Sequence, residues 1–472
     1  MASIVRLLAF ALAGTGLAAL VPALISARWQ EGLAPIFLAT TLGCIFLAGA
    51  MHFASAGLAG RIRRFQVFAA LCALWLLVPI AAAPAIAAGA KLDLDAAWFE
   101  ALSAFTTTGF TQVADGPRSL FVWFAILQWC GGLLTLVSAV AILAPAGIAG
   151  LPDRAVQRLD EREAVDTLGV LKEVGPLYLA GFGIAFLALL FTGTSPFASF
   201  CLASAATSAG AHLPPVAREA LQAGGATQLV FLPFLLWAAT SVRWHRALAT
   251  RRIHAAPEQP ESLILLGYWL VLGIFLAVLL FRLTPGSDVA GALTEGLFTA
   301  AALISTSGLP GASDTYAHLP AGLVILVTLV GGGALSVAGG LKILRVRAMA
   351  LRARGDLARL ISPNIVQPSR TGEGGIGTAM RGVWIGLVAL TSTLAAVTVS
   401  LGFGAPSFEA ALTGAVAAIS NSGPIYDASG QGWPPISSLP AVSMIGAAFA
   451  MIAGRIEVVG AFVLIHLAFW RT

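Results

Sequence analysis

Charge is scarce in this sequence. Only 10% of its 472 residues are Asp, Glu, Lys or Arg, while 58% are hydrophobic, and the mean hydropathy is +0.89. No water-soluble surface of this length can be built from that composition, so a soluble globular protein is excluded. Cysteine is scarcer still. Cys44, Cys72, Cys130 and Cys201 lie in or beside apolar segments without CxxC or Cys/His spacing, and they read as small buried hydrophobes rather than metal ligands or disulfides. There is no Walker A motif and no GxGxxG placed after a strand, so no nucleotide cofactor is expected on this chain. The apolar segments also lack paired aspartates, a Ser/His arrangement or HExxH, which leaves an intramembrane enzyme without a plausible chemistry. The net charge of +5 needs no nucleic acid to explain it.

What is present is a set of long apolar windows. A helix needs about 20 apolar residues to cross about 30 Å of hydrocarbon, and barrel strands would alternate over runs of about 10 residues instead, so an all-α polytopic membrane protein is expected. Spans are expected near 4–26, 34–56, 66–89, 119–148, 173–193, 227–249, 262–283, 320–345, 381–402 and 437–468, ten crossings in all. The first is read as an uncleaved helix, because another apolar span follows after a very short polar break. Lys and Arg distribute unevenly over the connections, 21 on one side against 5 on the other with Arg455 set apart. By the positive-inside rule both termini are expected in the cytoplasm of an inner (cytoplasmic) membrane protein.

Between spans on the outer side lie four apolar stretches too short to cross, such as Ala97 to Ser103 and Ala292 to Ile304, each ending in a hydroxyl-rich turn with a glycine. The turns are Ser103 to Phe110 (SAFTTTGF), Ser204 to Ala211 (SAATSAGA), Leu303 to Pro310 (LISTSGLP) and Ala418 to Ile425 (AISNSGPI). Their glycines, Gly109, Gly210, Gly308 and Gly423, are 101, 98 and 115 residues apart. A unit of span, short helix, turn and span recurring four times is an internal repeat. Each repeat begins and ends on the basic side, so the four run parallel about an axis along the membrane normal. The inverted repeats of many alternating-access transporters would not do that. The expected layout is two N-terminal helices (1–60) followed by pore repeats at 61–150, 151–255, 256–380 (with a cytoplasmic linker) and 381–472.

Irregular backbone is tolerated at membrane depth only where protein buries it or water lines it, so four re-entrant turns imply a shared aqueous axis. Four helix C-termini aimed at one point favour a cation. Glycine at each turn permits φ > 0 and carbonyls directed inward, and a carbonyl ring can replace the hydration shell of a potassium ion. The candidate filter is Thr106, Thr107, Thr108 and Gly109; Thr207, Ser208, Ala209 and Gly210; Ser305, Thr306, Ser307 and Gly308; and Ser420, Asn421, Ser422 and Gly423. With oxygen ligands and no fixed carboxylate in the turns, a weakly held monovalent cation fits better than calcium. The competing reading is that Gly, Ser and Thr merely let helices pack closely.

These stretches resemble the Trk/Ktr/HKT superfamily of potassium transporters, and with two helices ahead of the first repeat the chain looks most like the bacterial Trk-type membrane subunit. Phe99 to Thr111 (FEALSAFTTTGFT) is similar to that family's first pore loop, and Gln128 to Gly147 to the helix after it. Gly331 to Arg345 (GGGALSVAGGLKILR) resembles the glycine-rich helix of the third repeat, and SNSGP with Met451 to Arg471 resembles the fourth filter and the C-terminal ending. The second turn departs from the pattern, with Ala209 before its glycine and Ala211-His212 after it. The resemblance implies potassium uptake through a channel-like pore, the ion being cargo held at the filter residues. A sodium-permeable or proton-coupled symporter on the same scaffold is the alternative.

Glycine inside a helix costs about 1 kcal/mol per residue, so Gly331, Gly332, Gly333, Gly339 and Gly340, with Ser336 between them, point to a break in the span. The resemblance implies that this stretch is an intramembrane gate loop below the filter. Arg455 lies 16 residues before Arg471, roughly 24 Å along a helix and too deep to snorkel, so it should face the pore or a partner. The resemblance implies a pore arginine that cooperates with the gate. Glu457 should point to another face, and Lys342 marks the membrane boundary. Glu100, Asp115, Asp314 and Asp427 fall near the filter entrances, where they can concentrate cations or serve as ordinary loop charges. His212 is a candidate for a pH response at the mouth. The basic connection from Val346 to Met380 is long enough for a helix and a docking loop. The resemblance implies that a cytoplasmic ring of nucleotide-binding regulatory domains docks there, and that the chain forms a homodimer in the bilayer.

Overall fold

In the computed structural model, residues 2–56, 64–143, 167–252, 259–284, 288–313, 315–361, 373–428, 430 and 432–458 are described. Two antiparallel helices, α1 (Ala2–Arg28) and α2 (Ala34–Ala54), come first. They approach closely because Gly16 has no side chain. A Cβ there would stand 2.9 Å from that of Cys44, and the Gly16 carbonyl instead accepts the Thr41 hydroxyl at 2.9 Å. Small residues serve this purpose where lipid gives helices no hydrophobic reason to associate. Glu31, in the connection, accepts the backbone N–H groups of Arg118 and Ser119 at 2.8 and 3.0 Å, which fixes the pair to the body.

Four units follow. The first comprises α3 (Arg64–Ala90), α4 (Leu94–Phe105) and α5 (Arg118–Ser138), the last running on through a π turn at Ala139–Leu143. The second has α6 (Thr167–Phe191), α7 (Pro196–Ser208), α8 (Pro215–Gln222), α9 (Ala226–Ala239) and α10 (Val242–Ala249). In the third, α11 (Gln259–Leu283) and α12 (Val289–Ile304) lead to α13 (Ala321–Leu329), two short strands β1 (Val330–Gly331) and β2 (Leu341–Lys342), and α14 (Ile343–Ile361). The fourth holds α15 (Glu373–Gly402), α16 (Phe408–Ser420) and α17 (Ala441–Arg455).

The second helical element of every unit is short: α4, α7, α12 and α16 have 12, 13, 16 and 13 residues. At 1.5 Å per residue none reaches across about 30 Å of hydrocarbon. Three begin with a side-chain cap, the oxygens of Ser195, Asp288 and Ser407 accepting the N–H three residues on, which satisfies donors that a helix start leaves free. Toward their C-termini all four are buried almost all round, so their ends lie in the centre of the protein.

Among the described residues, seven helices are long and apolar enough to cross a membrane, at Ile4–Arg28, Ala34–Ala54, Ala69–Ala90, Arg118–Ala141, Gly169–Phe191, Gln259–Leu283 and Gly382–Gly402. The three other expected spans are not continuous helices. The 227–249 stretch breaks between α9 and α10, and α9 itself is bent by 100° from α8. The 320–345 stretch is helical only to Leu329. The 437–468 stretch is helical from Ala441 to Arg455, and its part beyond 458 lies outside the described residues. The first two breaks have one cause. The end of α9 and the stretch after α13 hydrogen-bond to each other, Gly333 and Val337 N–H to the carbonyls of Ala239 and Ala238 at 2.8 and 3.1 Å, and Val242 N–H to Leu335 O at 3.1 Å. Carbonyls that a helix end leaves without partners are thereby satisfied.

Candidate ion pathway

The short helices end in turns that meet. A cavity of about 460 Å³ is lined by Gly109 and Phe110, Ala211, Leu309, and Gly423 and Tyr426, so it takes residues from all four units. All the candidate filter side chains of the four turns are buried. Gly423 N–H donates to Thr108 O at 2.5 Å, and the Asn421 amide donates to Thr108 Oγ1 at 3.0 Å, so the first and fourth turns touch directly.

The turns fall into two kinds. In the first and third, the left-handed residues are Thr107 (φ 52°) with Gly109 (φ 87°), and Thr306 (φ 60°) with Gly308 (φ 64°). In the second and fourth, Ala209 (φ 52°) and Asn421 (φ 53°) take the left-handed position and their glycines do not. The expectation of φ > 0 at every filter glycine therefore holds for Gly109 and Gly308 only. Gly210 and Gly423 are confined by space instead: a Cβ on Gly423 would overlap the backbone of Phe110 and Gly109, and one on Gly210 would overlap Gln128 Oε1.

Half of the filter hydroxyls are turned back onto their own helices rather than stacked into a ladder. Thr106, Thr207 and Ser208 donate to Leu102 O, Ala203 O and Ser204 O at 2.7, 2.8 and 2.7 Å. The hydroxyls of Thr107, Thr108 and Thr306 instead accept from Arg455, Asn421 and Gly339, and in the fourth turn Ser420 Oγ, Asn421 Oδ1 and Ser422 Oγ are buried with no protein partner. Among the described residues no cluster of three or more His, Cys, Asp or Glu stands where it could hold a metal ion. A cation here has neutral oxygens to meet.

Below the turns, the stretch from Gly331 to Gly340 folds as a loop between the parallel strands β1 and β2. Gly339 N–H donates to Thr306 Oγ1 at 2.8 Å, and a Cβ on Gly339 would overlap Ser420 O. Ala334 N–H donates to Glu261 Oε1 at 2.7 Å, and Ser336 Oγ to Gly333 O at 2.6 Å. The loop thus lies directly against the third and fourth turns. Arg455, at the end of α17, is buried and reaches the first turn: Nε donates to Thr106 O at 2.6 Å, and the other nitrogens donate to Thr107 Oγ1 and Val337 O. One side chain bridges filter turn and loop.

Several charged residues sit elsewhere than the sequence reading placed them. Lys342 is buried and donates to Ala338 O, so it closes the loop rather than marking a boundary. Glu457 follows the helix end with φ 49° and pairs with Arg345. Glu100 is 0% exposed and is no loop charge, whereas Asp115 and Asp427 accept nearby backbone N–H groups in the outer loops. Asp314 lies outside the described residues. His212 is buried, its ring tilted by 34° against that of Phe124 with centroids 5.0 Å apart, and its backbone is held both ways by Gln128 at 3.3 Å. Gln128 and Glu295 were missed by the sequence reading. A signal for Glu295 was present: it stands seven residues after Asp288, as Glu100 stands seven after Asp93.

Fold and site together define a polytopic helical membrane protein in which four re-entrant helices converge on one buried axis. No family model matches the chain. The chain is 28% identical over 439 residues to the Trk system potassium uptake protein TrkI of Halomonas elongata, covering 87% of this chain and 85% of that protein. It is 24% identical over 487 residues to the Trk system potassium uptake protein TrkH of Vibrio parahaemolyticus (100% of this chain, 99% of that one) and of Escherichia coli (99% and 98%). The crystal structure of the potassium transporter TrkH from Vibrio parahaemolyticus has the same fold, with a TM-score of 0.83 at 22% identity over 100% of this chain and 99% of that one. The likeness to the Trk-type membrane subunit runs the length of the chain.

Proposed function

We propose that this protein is a potassium uptake pore of the Trk type, a multi-pass protein of the inner membrane with both termini in the cytoplasm. The observation that carries the reading is the single cavity lined by the ends of all four filter turns. The negative ends of four helix dipoles and the unpartnered oxygens of Ser420, Asn421 and Ser422 suit a desolvated monovalent cation. The full-length similarity to proteins named for potassium uptake supports the choice of ion. On this reading the filter is Thr106–Gly109, Thr207–Gly210, Ser305–Gly308 and Ser420–Gly423. The Gly331–Gly340 loop is the gate, with Arg455 as a positive barrier that is released when the loop moves. The chain works as a homodimer with pore repeats at 61–150, 151–255, 256–380 and 381–472. A ring of nucleotide-binding subunits docks on the cytoplasmic face, where α14 exposes Arg347, Arg352 and Arg354; residues 362–372, which follow it, are not among the described residues.

The test is growth of potassium-uptake-deficient cells at low potassium. The chain should restore growth, and Gly109→Ser, which puts a side chain where a Cβ already overlaps Ala211, should lose potassium preference. Absence of rescue by a chain shown to reach the membrane sinks the reading.

A further inference from the structure

Two of the four short helices carry a carboxyl group well inside them, and both use it in the same way. Glu100 and Glu295 are each the seventh residue of their helix, in α4 and α12. Each accepts the backbone N–H of the segment that rises from its own filter glycine. Glu100 Oε1 takes Gln112 N–H at 2.6 Å, three residues past Gly109. Glu295 Oε1 takes Ala312 N–H at 3.1 Å, four past Gly308, together with the Thr315 hydroxyl at 2.5 Å. The second oxygen of each faces the second repeat. Glu100 Oε2 stands 3.5 Å from His212 Nε2. Glu295 Oε2 stands 3.5 Å from the amide of Gln228, which also donates to Gly311 O at 2.8 Å. These are the two repeats in which the filter glycine itself is left-handed. The Gly308 carbonyl also accepts the Tyr316 hydroxyl at 2.7 Å, and the aim of both glycine carbonyls follows from backbone torsions that depend on where the chain beyond them is anchored.

We propose that Glu100 and Glu295 are positioning residues that fix the first and third filter walls and so set discrimination between potassium and smaller monovalent cations. The inference rests on the potassium reading above. The anchoring segments are short, two residues between Gly109 and Gln112 and three between Gly308 and Ala312, so a shift at the anchor passes to the glycine carbonyl. Ion discrimination by a carbonyl ring responds to such shifts through ligand number and field strength. A carboxyl group near an entrance also attracts cations wherever it is aimed, and side-chain length separates the two effects. Aspartate keeps the charge but falls about 1.5 Å short of the N–H it must hold. Glutamine keeps the reach and one acceptor oxygen but loses the charge.

The experiment compares potassium and sodium flux into liposomes containing wild-type protein, E100D, E100Q, E295D or E295Q. The Asp variants should lose about tenfold in the potassium-to-sodium ratio, while the Gln variants stay within about threefold of wild type. A loss in the Gln variants equal to or larger than in the Asp variants assigns the residues to charge attraction and overturns the proposal, as does an unchanged ratio in the Asp variants. T315V, which removes the hydroxyl that donates to Glu295 and that shares the Ala312 N–H with it, serves if an Asp variant does not fold. It should lower the ratio about threefold, and no change counts against the clamp. Wild-type liposomes that take up no potassium overturn the parent reading and this one with it, whereas wild-type uptake with insensitive variants overturns the clamp alone.

Discussion

The first and third repeats place glycines at the same point and use them in opposite ways. Gly131 and Gly132 lie 22 and 23 residues beyond Gly109, and Gly331 to Gly333 lie 23 to 25 beyond Gly308. In the first repeat the helix continues unbroken through the pair. A Cβ on Gly131 would overlap Phe105 O, and one on Gly132 would overlap the Tyr178 hydroxyl and crowd Ser208, so the two glycines let α5 lie against the ends of α4 and α7. In the third repeat the helix stops at Leu329, and the chain runs irregularly through Leu335 (φ 57°) to Gly340 (φ 69°). Two glycines cost a helix about 2 kcal/mol and five cost about 5, at about 1 kcal/mol each. Close packing outweighs the first sum. Against the second stand the alternative backbone partners in α9, Glu261 and Thr306.

The largest expected effect follows from removing the loop that this difference creates. Excising Val337 to Gly339 deletes the carbonyl that Arg455 holds and the N–H that holds Thr306. Potassium flux into liposomes without any regulatory partner should rise by about tenfold or more, since the Val337 N–H bond to Ala238 O and the Lys342 bond to Ala338 O go as well, and lost hydrogen bonds at about 1 kcal/mol or more each together exceed the 1.4 kcal/mol of a tenfold change. Unchanged flux removes the gating role. A three-residue excision from the helix of the first repeat just after its glycine pair, Leu133 to Thr135, turns everything beyond it by about 300° at 3.6 residues per turn, and should yield no folded protein. A smaller rise, several-fold, is expected for Arg455→Ala, measured with the thermal stability of the same preparation. Loss of folded protein without increased flux would show that the arginine is only a structural tie between Thr106, Thr107 and Val337.

Much of this architecture was legible in the sequence because bilayer thickness imposes a length on every crossing. The seven uninterrupted helices and the four half-length ones follow from that constraint. The breaks were harder. The run at Gly331 to Gly340 announced its own interruption, but that of α9 near Thr240 depends on backbone bonds to that distant run, and nothing in FLPFLLWAATS signals it. The site was legible as residue type and not as geometry. Four glycines in register marked the turns, yet the alternation between left-handed Gly109 and Gly308 and merely confined Gly210 and Gly423 is a property of neighbours. Lys342 and Glu100 were misplaced because a charge beside an apolar run reads as exposed until its partner is known. Here the partners are Ala338 O and Gln112 N.

The smallest effect tests the comparison most sharply, because the same substitution is made on both sides of it. Gly131→Ala must push a methyl into the backbone of Phe105 at the end of α4, which cannot yield as a side-chain tip would, and a loss of about 1–3 kcal/mol is expected, read as earlier thermal aggregation in detergent. Gly333→Ala adds the same methyl where the nearest atoms are Ala239 O and Glu261 Oε1 at 3.5 Å, ordinary van der Waals contact, and its φ is not left-handed. Its stability should stay within about 0.5 kcal/mol of the parent. Helix propensity pulls the other way, since alanine favours a helical continuation of α13 by about 1 kcal/mol over glycine. If the loop is held by its bonds to α9, that bias leaves basal flux unchanged. If glycine content alone keeps the loop open, Gly333→Ala should shift flux although it clashes with nothing, and the third repeat would differ from the first by composition rather than by the partners its backbone finds.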